Sequence, residues 1–215
     1  MSTRPELLRP ALAEVLRVAG AKAGRLLIGV TGPPATGKST LAVALADALT
    51  RRHGLSAVAV PMDGFHLANV ELDRLGLAHR KGAPQTFDAG GFAHLLRRLR
   101  AADEAVVYAP AYSRTLHESI GGAIPVPASA RVIVVEGNYL LYDEGEWGAV
   151  RPLLDLVLYL DTPDAARQES LVRRQLAKGL DEPAARHWVE SSDEVNAALV
   201  AATRDRADVV LRRRR

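Results

Sequence analysis

Cysteine is absent from this chain. Its absence excludes both a disulfide framework and a thiolate metal site. No stretch approaches the roughly 20 apolar residues of a membrane span, and residues 1 to 20 lack the continuous apolar core of a secretory signal. A cytoplasmic location with no membrane contact is therefore expected. Internal repeats are lacking, and so is a broad basic face. The formal charge of +3 comes from 28 basic and 25 acidic residues, and Arg212 to Arg215 supply four of the positive charges, so the remainder balances at 24 − 25 = −1. So local an excess does not predict specific nucleic-acid binding, and the arginine run reads as a frayed, solvated end. What is left, 48% hydrophobic and 25% charged over 215 residues, suits one α/β domain spanning 1–215 with a substantial core.

That domain is organised around Gly32-Pro33-Pro34-Ala35-Thr36-Gly37-Lys38-Ser39, which fits G-x-x-x-x-G-K-[ST]. Leu26, Leu27, Ile28 and Val30 precede it as a short apolar strand, and Leu41, Ala44, Leu45, Ala48 and Leu49 follow at helical spacing up to the stop at His53-Gly54. This context predicts a phosphate-binding P-loop. Backbone N–H groups from Gly32 to Gly37, with Thr40 in the next turn, converge on the phosphates at the positive end of the helix. Lys38 would reach the β and γ phosphates of ATP as a point charge, and the Ser39 hydroxyl would enter the Mg²⁺ shell. A glycine-rich turn that carries a lysine by coincidence would match the four fixed positions in under roughly one chain of this length per hundred.

Further along, Ser56 to Met62 reads as a second strand that delivers Asp63-Gly64-Phe65-His66 to its C-terminal end, the edge where open α/β sheets place ligands. About 63–87 is a polar insert containing Arg80-Lys81-Gly82-Ala83-Pro84, longer than a simple connection requires. Asp88 is placed to cap a helix bearing Phe92, Leu95, Leu96 and Leu99. Further strands are predicted at Ala105 to Ala109, Val132 to Val135 (closed by Glu136-Gly137-Asn138), Leu156 to Leu160 and Ala207 to Leu211, with a small β excursion at Ile124 to Val126. The alternation with helices predicts a mostly parallel five-stranded sheet, plus one edge strand, covered by helices on both faces. A helical lid at about 165–182 carries Arg167, Arg173, Arg174 and Lys178.

Taken together, the P-loop, Pro61-Met62-Asp63-Gly64-Phe65-His66, Arg80 to Pro84 with Phe87-Asp88, and Val135-Glu136-Gly137-Asn138-Tyr139 resemble the phosphoribulokinase/uridine kinase family of P-loop kinases. Within it the similarity points to the branch holding type I pantothenate kinase-like and bacterial fructokinase-like proteins. The chain departs from the uridine kinase pattern, where serine and tyrosine usually stand in the Asp63 motif, and it is shorter than full type I pantothenate kinases. The resemblance implies transfer of a phosphoryl group from Mg²⁺-ATP to the hydroxyl of a small sugar, nucleoside or pantothenate-like alcohol.

By that resemblance Asp63 is the base that takes the acceptor proton, and Glu136, with Ser39, organises Mg²⁺. Asp161 competes for this last role because it too ends a long apolar strand. Arg173 and Arg174 correspond to the lid arginines that neutralise the transferring phosphoryl group, although two adjacent residues cannot share one helix face. Phe65, His66, Arg80, Lys81, Tyr112, Arg114 and Asn138 correspond to acceptor-site positions, against the simpler reading of a core aromatic and surface charges. A homodimer is also implied. The contrasting class is a nonenzymatic nucleotide-sensing or regulatory NTP-binding protein, which would tolerate loss of Asp63. A regulatory GTPase would need a guanine-reading Asn-Lys-x-Asp, and the sequence has none.

Overall fold

Val, Leu and Ile fill the central strands almost without interruption, and the computed structural model, which describes residues 5–212, shows why. Strands β1 (Leu26–Thr31), β5 (Val132–Glu136) and β6 (Leu156–Asp161) form the centre of a five-stranded sheet and are covered on both faces. The order is β2-β5-β1-β6-β7, with β2 at Ala57–Pro61 and β7 at Val209–Arg212, and every neighbouring pair is parallel. Alternate residues divide between two cores. Leu26, Ile28, Val30, Val132, Val134, Leu156 and Leu158 meet helices α1 (Pro5–Ala21) and α2 (Lys38–His53) on one face. Leu27, Ile133, Val135, Val157 and Tyr159 meet α4 (Ala89–Ala101) and Trp147 on the other. This period-2 division of uniformly apolar strands is what a doubly covered parallel sheet requires.

Helix ends follow local chemistry. The carboxylate of Asp88 accepts from Gly91 N at 2.7 Å and starts α4, while Gly54 in the left-handed region closes α2. The polar insert at about 63–87 is folded and anchored. It contains a 3₁₀ turn (Met62–Phe65) and α3 (Asn69–Arg74), and it is tied down where Tyr139 Oη donates to Gly82 O at 2.6 Å and Trp147 Nε1 to Pro84 O at 3.2 Å.

The strand expected at Ala105 to Ala109 lies outside the parallel sheet. It forms β3 (Val106–Ser113), which pairs antiparallel with β4 (Glu118–Pro127) in a hairpin separate from the parallel sheet. Val107 and Ala109 are buried while Tyr108 is exposed, a one-sided pattern unlike the doubly covered central strands, and the register shifts around Pro110, which has no N–H to donate. The stretch expected as a lid and the residues that follow it form α5 (Asp164–Leu176), α6 (Glu182–Trp188), a π turn (Val189–Asp193) and α7 (Glu194–Ala201). Arg167 is 1% exposed and forks onto Glu194 through two 2.9 Å contacts, with Asp164 at 3.0 Å, locking the base of α5 to α7. Among the described residues no helix is long and apolar enough to cross a membrane. Of the arginine run, Arg212 ends β7 and pairs with Asp161 at 3.7 Å; residues 213–215 lie outside the described residues.

Candidate active site

The loop between β1 and α2 is shaped by backbone demands. Gly32 has φ +143, and a Cβ there would stand 2.6 Å from the Leu160 carbonyl oxygen. Gly37 has φ +97 with open space around it, so conformation rather than room requires glycine. Ala35 takes φ +63, a strained choice of the kind concentrated at functional sites. No side chain caps α2, which leaves its first N–H groups for an anion. Lys38 is buried, and its Nζ donates to the Pro33 carbonyl at 2.9 Å, beside Thr36 Oγ1 at 3.0 Å on the same oxygen. Burial pushes the Lys38 pKa down to about 8, against the opposing charges of Glu136 and Asp63. The loop is a cradle lined by N–H groups and one ammonium, which fits a polyphosphate.

Strand order then sets the acids beside this cradle. β5 lies between β1 and β2, and Glu136 is in register with Val30 on one side and Pro61 on the other. Glu136 is buried, and its carboxyl is pushed up to about 7 by burial and by the charge of Asp63, against Lys38 and a hydrogen bond from Ser39. Asp63 follows β2 in the 3₁₀ turn, half-buried. A Cβ on Gly64 would stand 2.4 Å from Pro110 O, and one on Gly137 2.5 Å from Met62 Cβ, so both motif glycines permit close backbone packing behind the acids. Ser39, Asp63, Glu136, Tyr112 and Arg114 line one cleft of about 270 Å³. Among the described residues no three His, Cys, Asp or Glu side chains gather into a metal cage. Two carboxylates and a hydroxyl next to a phosphate cradle are instead the partial donor set that suits Mg²⁺, which shares its shell with phosphate oxygens and water. Asp161 is occupied elsewhere, pairing with Arg204 at 3.2 Å on the β7 side.

The acceptor-side residues separate into distinct roles. Tyr112 and Arg114 reach the cleft from the hairpin. The His66 ring stacks between Phe87 (4.0 Å) and Tyr112 (4.8 Å), with Nδ1 2.8 Å from the Asp63 carbonyl, and burial pushes its pKa down. Arg80 is half-buried within electrostatic reach of Tyr139. Lys81 is a strut: its Nζ donates to Asn69 Oδ1 and to His117 O at 2.8 Å, over the Tyr112 ring. Phe65, expected at the acceptor, packs instead on Phe92 at 5.2 Å against the core, because the tight turn at Gly64 directs it inward. The Asn138 carbonyl is held by Thr31 Oγ1 at 3.0 Å, and its side chain is not among the cleft's lining.

The model of the family described as "Phosphoribulokinase / Uridine kinase family" matches residues 27–215. The chain belongs to this family. A candidate uridine kinase of Schizosaccharomyces pombe is 33% identical over 198 residues, covering 89% of this chain and 84% of that protein. A pantothenate kinase of Leifsonia xyli is 36% identical over 144 residues, but the match takes in 66% of this chain and 44% of that longer protein. Among solved structures, a candidate fructose transport system kinase from Silicibacter sp. TM1040 superposes with a TM-score of 0.87 at 39% identity, covering 94% of this chain and 98% of that one.

In this phosphoribulokinase/uridine kinase family member the two adjacent arginines of α5 differ in what surrounds them. Arg174 lies within electrostatic reach of Lys38, Asp63, Arg114 and Asp193. Both side chains are exposed, and Arg173 donates to Ser170 Oγ at 3.3 Å along its own helix. The two adjacent arginines therefore have different neighbours. Arg174→Ala is expected to lower phosphoryl transfer by about 10²-fold, the scale of losing one charge-stabilising donor, with Arg173→Ala near wild type. Steady-state rates of the two variants decide the matter, and the reverse ranking would overturn the assignment. Tyr139 and Arg167 enter the sequence only as members of a motif and of a helix; their contacts depend on partners 57 and 27 residues away.

Proposed function

We propose that this kinase-family protein transfers the γ-phosphoryl group of Mg²⁺-ATP to a hydroxyl of a small metabolite such as a sugar, nucleoside or pantothenate-like alcohol. The observation that carries this reading is the single cleft in which Asp63, Ser39 and Glu136 meet beside the buried Lys38. A nucleotide sensor needs the loop and the lysine, but not a second acid at the end of β2.

The Gly32 to Gly37 backbone and the first turn of α2 hold the β and γ phosphates, with Lys38 supplying positive charge where negative charge accumulates. Ser39 and Glu136 would hold Mg²⁺, which when bound neutralises phosphate charge. Asp63 orients the acceptor hydroxyl and takes its proton. The new bond joins the acceptor oxygen to the γ phosphorus, and the bond to the β–γ bridging oxygen breaks, leaving ADP. Arg114, which lines the cleft, and Arg174, within electrostatic reach of it, would neutralise the transferring group. The relatives described above suggest uridine, D-pantothenate and D-fructose as test compounds, and D-glycerate is added as an anionic alcohol. ADP release is measured with uridine, D-pantothenate, D-fructose and D-glycerate in turn. Stimulation by one of them, with a phosphorylated product, supports the kinase, and nucleotide binding without stimulated turnover by any alcohol overturns it in favour of a sensor.

A further inference from the structure

The ammonium of Lys81 has three N–H groups to place. It donates to Asn69 Oδ1 and to His117 O at 2.8 Å, and the centroid of the Tyr112 ring lies 5.4 Å from Nζ. With its donors so engaged, the ammonium is not left to hold a small molecule itself. It joins three stretches of chain instead: the insert, the first residue of α3, and the turn between β3 and β4.

Other groups fasten the same junction. The Glu118 carboxylate accepts from Asn69 N at 3.0 and 3.2 Å, Asn69 Nδ2 donates to His117 O at 3.3 Å, and Ser119 Oγ donates to His66 O at 2.9 Å. His117 takes φ +55, an uncommon conformation for a residue with a Cβ, and two donors converge on its carbonyl. Such strain persists where the surroundings over-determine the backbone.

The hairpin belongs to a sheet of its own, so no ladder of parallel strands fixes it beside Asp63. It is fixed at two other places. At one, the Pro110 carbonyl packs on Gly64 with no room for a Cβ; at the other stands the Lys81 junction. Ala111, Tyr112 and Arg114, which line the cleft, lie between the two. Of these, Tyr112 is the rigid one, with the His66 ring at 4.8 Å and the Lys81 ammonium over its face. Arg114 is long enough to follow a displaced turn, whereas a stacked ring moves with its backbone.

The geometry points to Lys81 as a positioning residue for the phosphoryl acceptor: it clasps the β3–β4 turn to the insert and so sets the Tyr112 ring in the wall of the cleft. This rests on the kinase reading, and it gives Lys81 an indirect part in acceptor binding in place of the direct contact expected from the sequence. Lys81 thereby governs KM for the acceptor through Tyr112.

The test compares wild type, Lys81→Met, Tyr112→Ala and the double variant, using whichever of uridine, D-pantothenate, D-fructose and D-glycerate stimulates ADP release. Lys81→Gln replaces Lys81→Met if circular dichroism shows the latter to be unfolded. Lys81→Met should raise acceptor KM by about tenfold or more, with kcat and ATP KM each within about threefold. In the Tyr112→Ala background the same change should add less than about twofold, because a residue acting through another has nothing left to act on. Hydrogen exchange of the amides at 112–119 should quicken in Lys81→Met, while that of β1 and the phosphate loop stays as in wild type. The proposal is overturned by unchanged acceptor KM, by a parallel rise in ATP KM, by full additivity with Tyr112→Ala, or by unchanged exchange at 112–119. Failure of the kinase reading has a different signature: exchange at 112–119 would quicken as expected, yet none of the four compounds would be phosphorylated by wild type, and the role of Lys81 in acceptor binding would fall with that reading.

Discussion

Asp63→Asn is expected to lower turnover by about 10²- to 10⁴-fold while ATP affinity stays within a small factor, because asparagine keeps the shape of the side chain but is a poor base. Asp63 stands at the mouth of the cleft, half-buried, on the turn that Gly64 lets pack against Pro110. The substitution removes a proton acceptor and disturbs little of the packing. Measuring kcat and the KM of each substrate with an acceptor identified by ADP release separates the outcomes. A near wild-type rate would remove Asp63 as base and direct attention to Glu136. A large loss in acceptor KM with kcat intact would make Asp63 a binding group.

Lys38→Ala should give a folded protein with turnover reduced by at least about 10²-fold and weakened nucleotide binding, since an ammonium aimed at developing phosphate charge is lost. The buried Glu136 loses a neighbouring positive charge with it. Here Glu136 has an escape. Burial and Asp63 already hold its carboxyl up at about 7, so without Lys38 it can take a proton near neutrality and avoid an uncompensated buried charge. The variant should therefore keep a wild-type circular dichroism spectrum. Wild-type turnover with intact Mg²⁺-ATP affinity would remove the loop from the chemistry.

Features governed by neighbours in the chain were legible in the sequence. The loop glycines, the Asp88 cap and the five strands of the sheet follow from dihedral demands, short-range hydrogen bonds and apolar runs, all local. Glu136 could be preferred over Asp161 by motif, and the structure adds a physical reason, since Asp161 is held by Arg204. Features decided by docking were not legible. A β-forming run at Ala105 to Ala109 does not state its partner, and the hairpin with β4 took it away from the sheet. The choice between Arg173 and Arg174 depends on the rotation at which α5 lies against α7, fixed by the Arg167 fork to Glu194. Phe65 next to Asp63 reads equally well as a ligand contact or a core ring, and Phe92, far along the chain, settled it.

The level alignment of Val30, Glu136 and Pro61 across three adjacent strands acts as a ruler. Neighbouring strands are spaced by about 4.8 Å, so the backbone of the phosphate loop and that of the Asp63 turn stand about two spacings apart, roughly 10 Å, with Glu136 midway. This gauge is set by peptide hydrogen bonding and is the same whatever side chains the hairpin and the insert present. Tyr112 and the Gly82 region can thus be rewritten for a different alcohol without altering the separation between donor and acceptor phosphoryl positions. Substitutions in those segments should move KM for the acceptor far more than the rate of the transfer step, so the choice of substrate is mechanically insulated from the reaction.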